Sequence, residues 1–153
     1  MSAALGPRKE ERGILPGGNK RPGDVFIPFW TGGFDTALYV TVVCPLQSAL
    51  VPGAATTPGS ALTYAHQEKM KKKDAECRRQ GIGFLPLAAE ALGGWHPPAV
   101  EQVKKLGAAL ARQSGEDEGA VKSQLFQKLS LVLMKGNAAI FSNRIHDVYC
   151  LLC

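Results

Sequence analysis

Hydrophobic positions in the first half of the chain form short runs that are rich in β-branched and aromatic residues. One run covers residues 24–28 and ends at a proline, which cannot donate a hydrogen bond to a neighbouring strand. A glycine-rich turn over residues 31–33 follows, and then a second run over residues 36–43. Two such runs around a turn predict a β-hairpin, and a further run over residues 82–87 predicts a third strand.

Three helices are predicted around these strands. The first covers about residues 61–80, follows residue types that cap helices, and ends at Gly81. Helices over about residues 98–113 and 120–141 have hydrophobic residues spaced three or four apart, so one face of each is expected to be buried. In the last helix this stripe comprises Val121, Leu125, Leu129, Val132 and Leu133. A hairpin plus a third strand, flanked by helices, is typical of a small α/β (α+β) layer.

The chain of 153 residues is expected to form one domain. Its composition, 45% hydrophobic and 20% charged, excludes a wholly disordered protein. Residues 1–20 are rich in glycine and proline and are expected to form a flexible N-terminal arm. We place the folded domain at residues 21–144 and a frayed C-terminal tail at residues 145–153.

No segment of the sequence predicts contact with a membrane. The longest apolar runs, around residues 37–43 and 129–134, are far shorter than the ~20 residues that a membrane-spanning helix needs. The N-terminus has no signal-peptide pattern, and the four cysteines are expected to be reduced thiols. A nuclear or cytoplasmic location follows as an expectation.

The positive charge of the chain lies mostly in its first half. The net charge is +5, and residues 1–80 carry 11 lysines and arginines against 7 acids. Six cations fall within residues 69–79, and on a helix Lys69, Lys72, Lys73 and Arg79 share much of one side. Such a face either contacts DNA phosphates with low sequence specificity or is simply solvated. Lys20 and Arg21 add to the nucleic-acid interpretation.

Four short motifs occur in an order that resembles a known family, and together they span residues 20–144. The motifs are Arg21-Pro22-Gly23-Asp24-Val25, Tyr39-Val40-Thr41-Val42, Phe84-Leu85-Pro86-Leu87 and Gly93-Gly94-Trp95-His96. Their order and spacing resemble the restriction-like endonucleases of PD-(D/E)xK type that lie downstream of reverse transcriptase in non-LTR retrotransposon polyproteins. They also resemble animal proteins derived from such retroelements.

The resemblance implies a restriction-endonuclease-like layer and metal-dependent hydrolysis of DNA. In that family, an Asp at the start of one strand and an Asp or Glu on the next strand bind Mg²⁺, which activates the attacking water. Asp24 matches the first acid, and the resemblance therefore implies that it is a catalytic residue and a metal ligand. The motif's lysine stabilises the charge that develops, and Thr41 falls at its position.

The second acid is missing from this sequence. A hairpin that turns at residues 31–32 pairs positions whose numbers sum to 63, so Asp24 faces Tyr39. Tyr39 is therefore the degenerate acid position among the catalytic residues. A tyrosine phenol has an ordinary pKa near ~10 and is a poor ligand for Mg²⁺ at neutral pH.

These observations lead to one expected function and two alternatives. We expect a retroelement-derived, endonuclease-like domain that binds DNA and cleaves it little or not at all. An active Mg²⁺-dependent endonuclease is the first alternative, and it would need Asp35, Glu90, Glu10 or Glu11 to replace the missing acid. A structural or protein-interaction domain with no nucleic-acid role is the second. Mg²⁺ is the expected cofactor if the chain is active, and none is expected otherwise.

Overall fold

The computed structural model of the protein describes residues 6–16 and 20–152, without the side chains of residues 141 and 143–152. It contains a four-stranded sheet with helices around it, which confirms the predicted α/β class. In chain order the elements are β1 (Arg8–Lys9), β2 (Val25–Thr31), β3 (Phe34–Val43), α1 (Val51–Thr56), α2 (Ser60–Arg79), β4 (Gly83–Glu90), α3 (Pro97–Ser114) and α4 (Glu118–Leu152).

The sheet has the order β1-β2-β3-β4. Strands β2 and β3 form the predicted hairpin, and β4 lies parallel to β3 after the crossover through α2. Val25 pairs with Leu38 and Ile27 pairs with Thr36, so the numbers of these paired residues sum to 63, as predicted. Thr31 pairs with Phe34, however, so the turn lies at residues 32–33 and not at the predicted 31–32. Asp24 and Tyr39 are the next pair of positions in the same register.

A β-bulge interrupts the hairpin between Ile27 and Thr31. Within it Phe29 has a φ of 53°, which is rare for a bulky residue. The backbone N–H of Phe29 donates to Oδ1 of Asp35 at 3.0 Å, and this contact holds the bulge in place. The bulge turns the aromatic side chain of Phe29 outward, and this residue is 77% exposed.

Helix α2 covers one face of the sheet. Its residues pack there against side chains of the three long strands in two core clusters, whose strand members are Phe26, Ala37, Val43, Phe84 and Ala88. Side chains alternate between the two faces of a strand, so Ile27, Thr36 and Leu38 lie on the other face. These three are also buried, and α3 is the second helix that contacts β4. Helix α4 in turn packs on α3.

The N-terminal segment corrects the expectation of a flexible arm. Arg8 and Lys9 pair with β2 as the short edge strand β1, and Leu15 is only 2% exposed within the core beneath α2. The physical reason is that β2 would otherwise present unpaired backbone groups at the sheet edge, and one leucine suffices to seal the adjacent core. Of the remaining residues in the expected arm, 1–5 and 17–19 lie outside the described part of the chain.

Two further elements differ from the prediction. Helix α1 is not among the helices that the sequence predicts; Pro52 stands in its first turn, where proline is tolerated. Helix α4 begins at Glu118 and runs to Leu152, which includes most of the expected frayed tail; Cys153 lies outside the described residues. Val132, expected in the buried stripe of α4, is 68% exposed. In the part of the chain that is described, no helix has both the length and the apolar character required to span a membrane.

Candidate functional site

The hairpin brings the predicted acid positions together on the face beneath α2. The same register that pairs Val25 with Leu38 places Asp24 beside Tyr39, and Thr41 follows two residues later on the same face. Gly23 makes this approach possible, since a Cβ there would lie 2.6 Å from the carbonyl oxygen of Leu38. The glycine of the first motif is therefore required by the close contact of two backbones.

Asp24 is bound at both its backbone and its carboxylate. Its N–H donates to the carbonyl of Leu38 at 2.8 Å, and its carbonyl accepts from the N–H of Glu10 at 2.9 Å. Its Oδ2 atom accepts a hydrogen bond from the backbone N–H of Val40 at 2.8 Å. The carboxylate thus continues the ladder between β2 and β3 where β2 begins. This arrangement gives Asp24 a structural task as a strand-entry residue.

Tyr39 is a half-buried part of the core beneath α2. Its ring lies 6.3 Å from the ring of Phe84, centroid to centroid. The ammonium nitrogen of Lys69 on α2 lies 4.6 Å from the centroid of the Tyr39 ring. At this distance the electron-rich face of the ring attracts the cation. A lysine cation therefore stands beside the position where the resemblance implies a second metal-binding carboxylate.

The acids named as replacements make other contacts. The backbone of Glu10 lies beside Asp24, and Glu11 forms an ion pair with Arg8 at 3.2 Å. Oδ1 of Asp35 holds the bulge through Phe29, and Glu10 forms an ion pair with Arg21 at 2.8 Å. Glu90 pairs with Val43 at the opposite end of β3 from the bulge. Among the described residues no group of three or more His, Cys, Asp or Glu side chains could hold a metal ion. Since Mg²⁺ is held through oxygen ligands, Asp24 with Tyr39 does not form a fitting site.

The predicted basic face of α2 is divided in two. Lys72 and Arg79 are exposed to solvent, whereas Lys69 and Lys73 are only partly exposed and lie on the side nearer the sheet. Lys73 and Lys20 both reach Glu76, at 3.9 and 3.3 Å. We call the surface formed by Lys20, Arg21, Lys69 and Lys73 the basic edge.

Acids are interleaved with the cations of α2, and they partly neutralise the predicted basic face. Glu68 pairs with Lys71 and Lys72 at 3.3 and 3.8 Å, and Asp74 pairs with Arg78 at 2.8 Å. Each exposed pair contributes at most about 1 kcal/mol. Residues 68–79 hold six cations and three acids, so a net charge of +3 remains. These ion pairs could have been predicted from the sequence, because the acids and cations are spaced three or four residues apart.

Two histidines that lie 30 residues apart in the sequence are in contact in the fold. His66 of α2 and His96, the N-cap of α3, have ring centroids 4.5 Å apart. The Nδ1 atom of each ring is buried without a hydrogen-bond partner. Burial lowers the pKa of His96, and the charge of His66 lowers it further. No periodic pattern links positions 30 residues apart, so only the fold reveals this pair.

Comparison with known proteins leaves the chain without an assigned family. No family model matches the sequence, and no curated protein matches it either.

Proposed function

We propose that this chain is a retroelement-derived, restriction-endonuclease-like domain that binds DNA and has lost its metal site. The observation that carries the proposal is the geometry at position 39. Tyr39 lies beside Asp24 in the register that the motif requires, and the ammonium group of Lys69 lies over its ring. A cation fixed there repels Mg²⁺ and adds to a surface that attracts phosphate.

The proposed DNA contact runs along α2 and the basic edge. Lys20 and Arg21 stand next to the cations of α2, because Lys20 and Lys73 share Glu76. Such a surface makes phosphate contacts, which fix position but do not read sequence. The interleaved acids reduce the local charge, so the affinity is expected to be low and to fall steeply with salt. A nuclear location fits this proposal.

The proposal includes little or no cleavage of DNA. Asp24 already accepts a hydrogen bond from Val40, and Tyr39 supplies no carboxylate. Phosphodiester hydrolysis by this family's chemistry needs a metal to lower the pKa of the attacking water. We therefore expect no Mg²⁺- or Mn²⁺-dependent nicking of a plasmid by the wild-type chain. Robust nicking that Asp24→Asn abolishes would instead support the active-endonuclease alternative.

A pair of charge-matched variants tests the DNA contact. Lys72→Ala/Arg79→Ala removes two exposed cations from α2, and Lys104→Ala/Lys105→Ala removes two exposed cations from α3. Fluorescence anisotropy of a labelled 20-base-pair duplex is measured between 20 and 200 mM salt. We expect the α2 variant to lower the slope of log affinity against log salt by about 2, while the α3 variant keeps the wild-type slope.

Two results would contradict this proposal. Affinity that does not change with salt would exclude phosphate contact as its source. Equal losses in the two variants would mean that net charge, and not the surface of α2, governs binding.

A protein-interaction role is the second candidate, and α4 is the observation that favours it. Within its described part the helix exposes several large apolar side chains: Leu131, Val132, Met134 and Ile140. Exposed apolar surface of this kind marks interaction sites. The two candidates predict different results at low salt. A DNA-binding domain binds duplex DNA at 20 mM salt, and a protein-interaction domain does not. Two results together would fit the interaction role. The chain would bind no duplex DNA, and its sedimentation coefficient would fall in the variant Leu131→Glu/Met134→Glu.

A further inference from the structure

A cleft opens at the end of the sheet where the hairpin turns. It has a volume of about 460 Å³ and lies between the β2–β3 turn, the last turns of α2 and the start of β4. Its walls include Thr31, Phe34, Met70, Arg78, Ile82 and Phe84. Of the four sequence motifs only the third reaches this cleft, through Phe84 and Leu85, and the other walls come from the hairpin, α2 and residues 81–83.

The walls of the cleft are mainly apolar, and one of them is an open aromatic ring. Phe34 is 62% exposed at the mouth, whereas Phe84 is only 4% exposed deeper in the core. An aromatic side chain that stays open to solvent at a cleft offers its face for stacking. This wall therefore favours a flat ring over a branched aliphatic group.

The wall formed by α2 carries the polar groups. Nε of Arg78 donates to Oδ2 of Asp74 at 2.8 Å, and both residues line the cleft. The side chain of Arg78 is 71% exposed and that of Asp74 is 22% exposed. The pair presents hydrogen-bond donors and acceptors side by side. The Watson–Crick edge of an unpaired guanine is complementary, since its O6 accepts from arginine and its N1–H and amino group donate to a carboxylate.

We propose that this cleft takes one unpaired base of a DNA strand, with guanine preferred. The inference rests on the proposed DNA-binding function and names the feature of DNA that this end of the molecule recognises. Arg79, the exposed residue that follows Arg78 in α2, is assigned to the flanking phosphate. Phe29, exposed on the same hairpin, is a second aromatic on which a neighbouring base can stack.

Duplexes with a single unpaired base test the proposal. The probes are a fully paired 20-base-pair duplex, the same duplex with one bulged dG, and the same duplex with one bulged dT, each followed by fluorescence anisotropy at 50 mM salt. We expect wild type to bind the dG bulge about tenfold more tightly than the paired duplex. Phe34→Ala should abolish this preference and leave affinity for the paired duplex unchanged. Leu92→Ala, which truncates another exposed apolar residue, should keep the preference.

Two neighbouring arginines separate base recognition from phosphate contact. Arg78→Met should remove the preference of dG over dT, because methionine has no donor for the base edge. Arg79→Met makes the same change in charge and should weaken all three probes equally.

The outcomes distinguish this inference from the function on which it rests. Salt-sensitive binding of the paired duplex without any preference for a bulge would overturn the inference alone. A bulge preference that survives Phe34→Ala would also overturn it. If none of the three probes binds at 50 or 20 mM salt, the proposed DNA-binding function fails together with the inference.

Discussion

Single side chains decide what the surface beneath α2 can do. At Tyr39, a phenol stands where the resemblance implies a carboxylate, and its aromatic face attracts Lys69. At Asp24 the carboxylate accepts a hydrogen bond from Val40, which makes it part of the sheet. Asp24, which matches the first acid of the motif, thus has a structural contact in this fold.

Tyr39→Asp tests whether a second carboxylate beside Asp24 can create a metal site. The change removes a half-buried ring from Phe84 and Lys69, so we expect the free energy of unfolding to fall by about 1–3 kcal/mol. The new carboxylate would pair with Lys69, and the single variant should therefore gain little affinity for Mn²⁺. The double variant Tyr39→Asp/Lys69→Gln should bind Mn²⁺ measurably by titration calorimetry. If adding Asp24→Asn to the double variant leaves that affinity unchanged, Asp24 is not a ligand.

The pair of His66 and His96 makes stability depend on pH. Because burial and His66 lower the pKa of His96 in the folded state, the unfolded chain binds the proton more readily. The folded state is therefore at full stability above the unfolded pKa of about 6.5 and loses stability as pH falls through that value. The positive end of α3, which begins at His96, disfavours the imidazolium in the same direction.

Urea unfolding at pH 7.5, 6.5 and 5.5 measures this effect. Wild type should lose stability between pH 7.5 and 5.5, and His96→Gln should lose less over the same range. This window stays above the ordinary pKa values of Asp and Glu, which limits their contribution. A variant whose stability changes with pH as steeply as that of wild type would exclude His96 as the titrating group.

Individual elements differ in how much their neighbours constrain them. Helix α2 is constrained on one side by the core and on the other by its own ion pairs, so its cations are partly neutralised before any ligand arrives. Helix α3 has 18 residues and α4 has 35, so α3 can cover only part of α4. The β2–β3 hairpin carries its strain in the bulge, where Phe29 is held at positive φ.

Replacement of Phe29 tests the strain in the hairpin. Glycine adopts a φ of 53° freely and alanine does not, so Phe29→Gly should be more stable than Phe29→Ala by about 1 kcal/mol. Val40, exposed in the regular part of β3, is the matched control. There the order should reverse, with glycine about 0.5–1 kcal/mol less stable than alanine. Chemical denaturation of the four variants gives both differences, and the same order at both positions would show that the bulge is not strained.

At the scale of the whole molecule, the N-terminal segment belongs to the folded unit. β1 adds an edge strand next to β2, and Leu15 belongs to the same core cluster as Phe26, Cys77 and Phe84. This segment also brings Glu10 to Arg21 and its backbone to Asp24. The docked segment therefore contacts one member of the basic edge, Arg21.

Leu15→Ala measures how firmly that segment is docked. Leu15 is 2% exposed, so the substitution should lower the free energy of unfolding by about 2–5 kcal/mol. Leu92→Ala is the matched control at a residue 71% exposed, and its effect should stay within about 0.5 kcal/mol. Thermal or urea unfolding followed by circular dichroism gives both values. Equal, small effects in the two variants would show that the segment is a flexible arm, as its composition predicts.

The sequence by itself determined the local structure of this protein. The β-branched runs and the glycine turn predicted β2, β3 and the pairing of Val25 with Leu38. The observed turn lies one residue later than predicted, and the bulge that restores this pairing was not predicted. Periodic apolar residues predicted α3 and most of α4, while cap-type residues and Gly81 placed α2. The sequence also placed Asp24 opposite Tyr39, since both belong to one hairpin.

Only the tertiary structure decided how these elements act on one another. The parallel pairing of β4, the burial of Leu15, the position of Lys69 over Tyr39 and the meeting of His66 with His96 join residues from distant parts of the chain. The cleft beside Phe34 arises in the same way. Such contacts depend on which faces of the helices and strands pack together, and local propensity and spacing do not encode that choice.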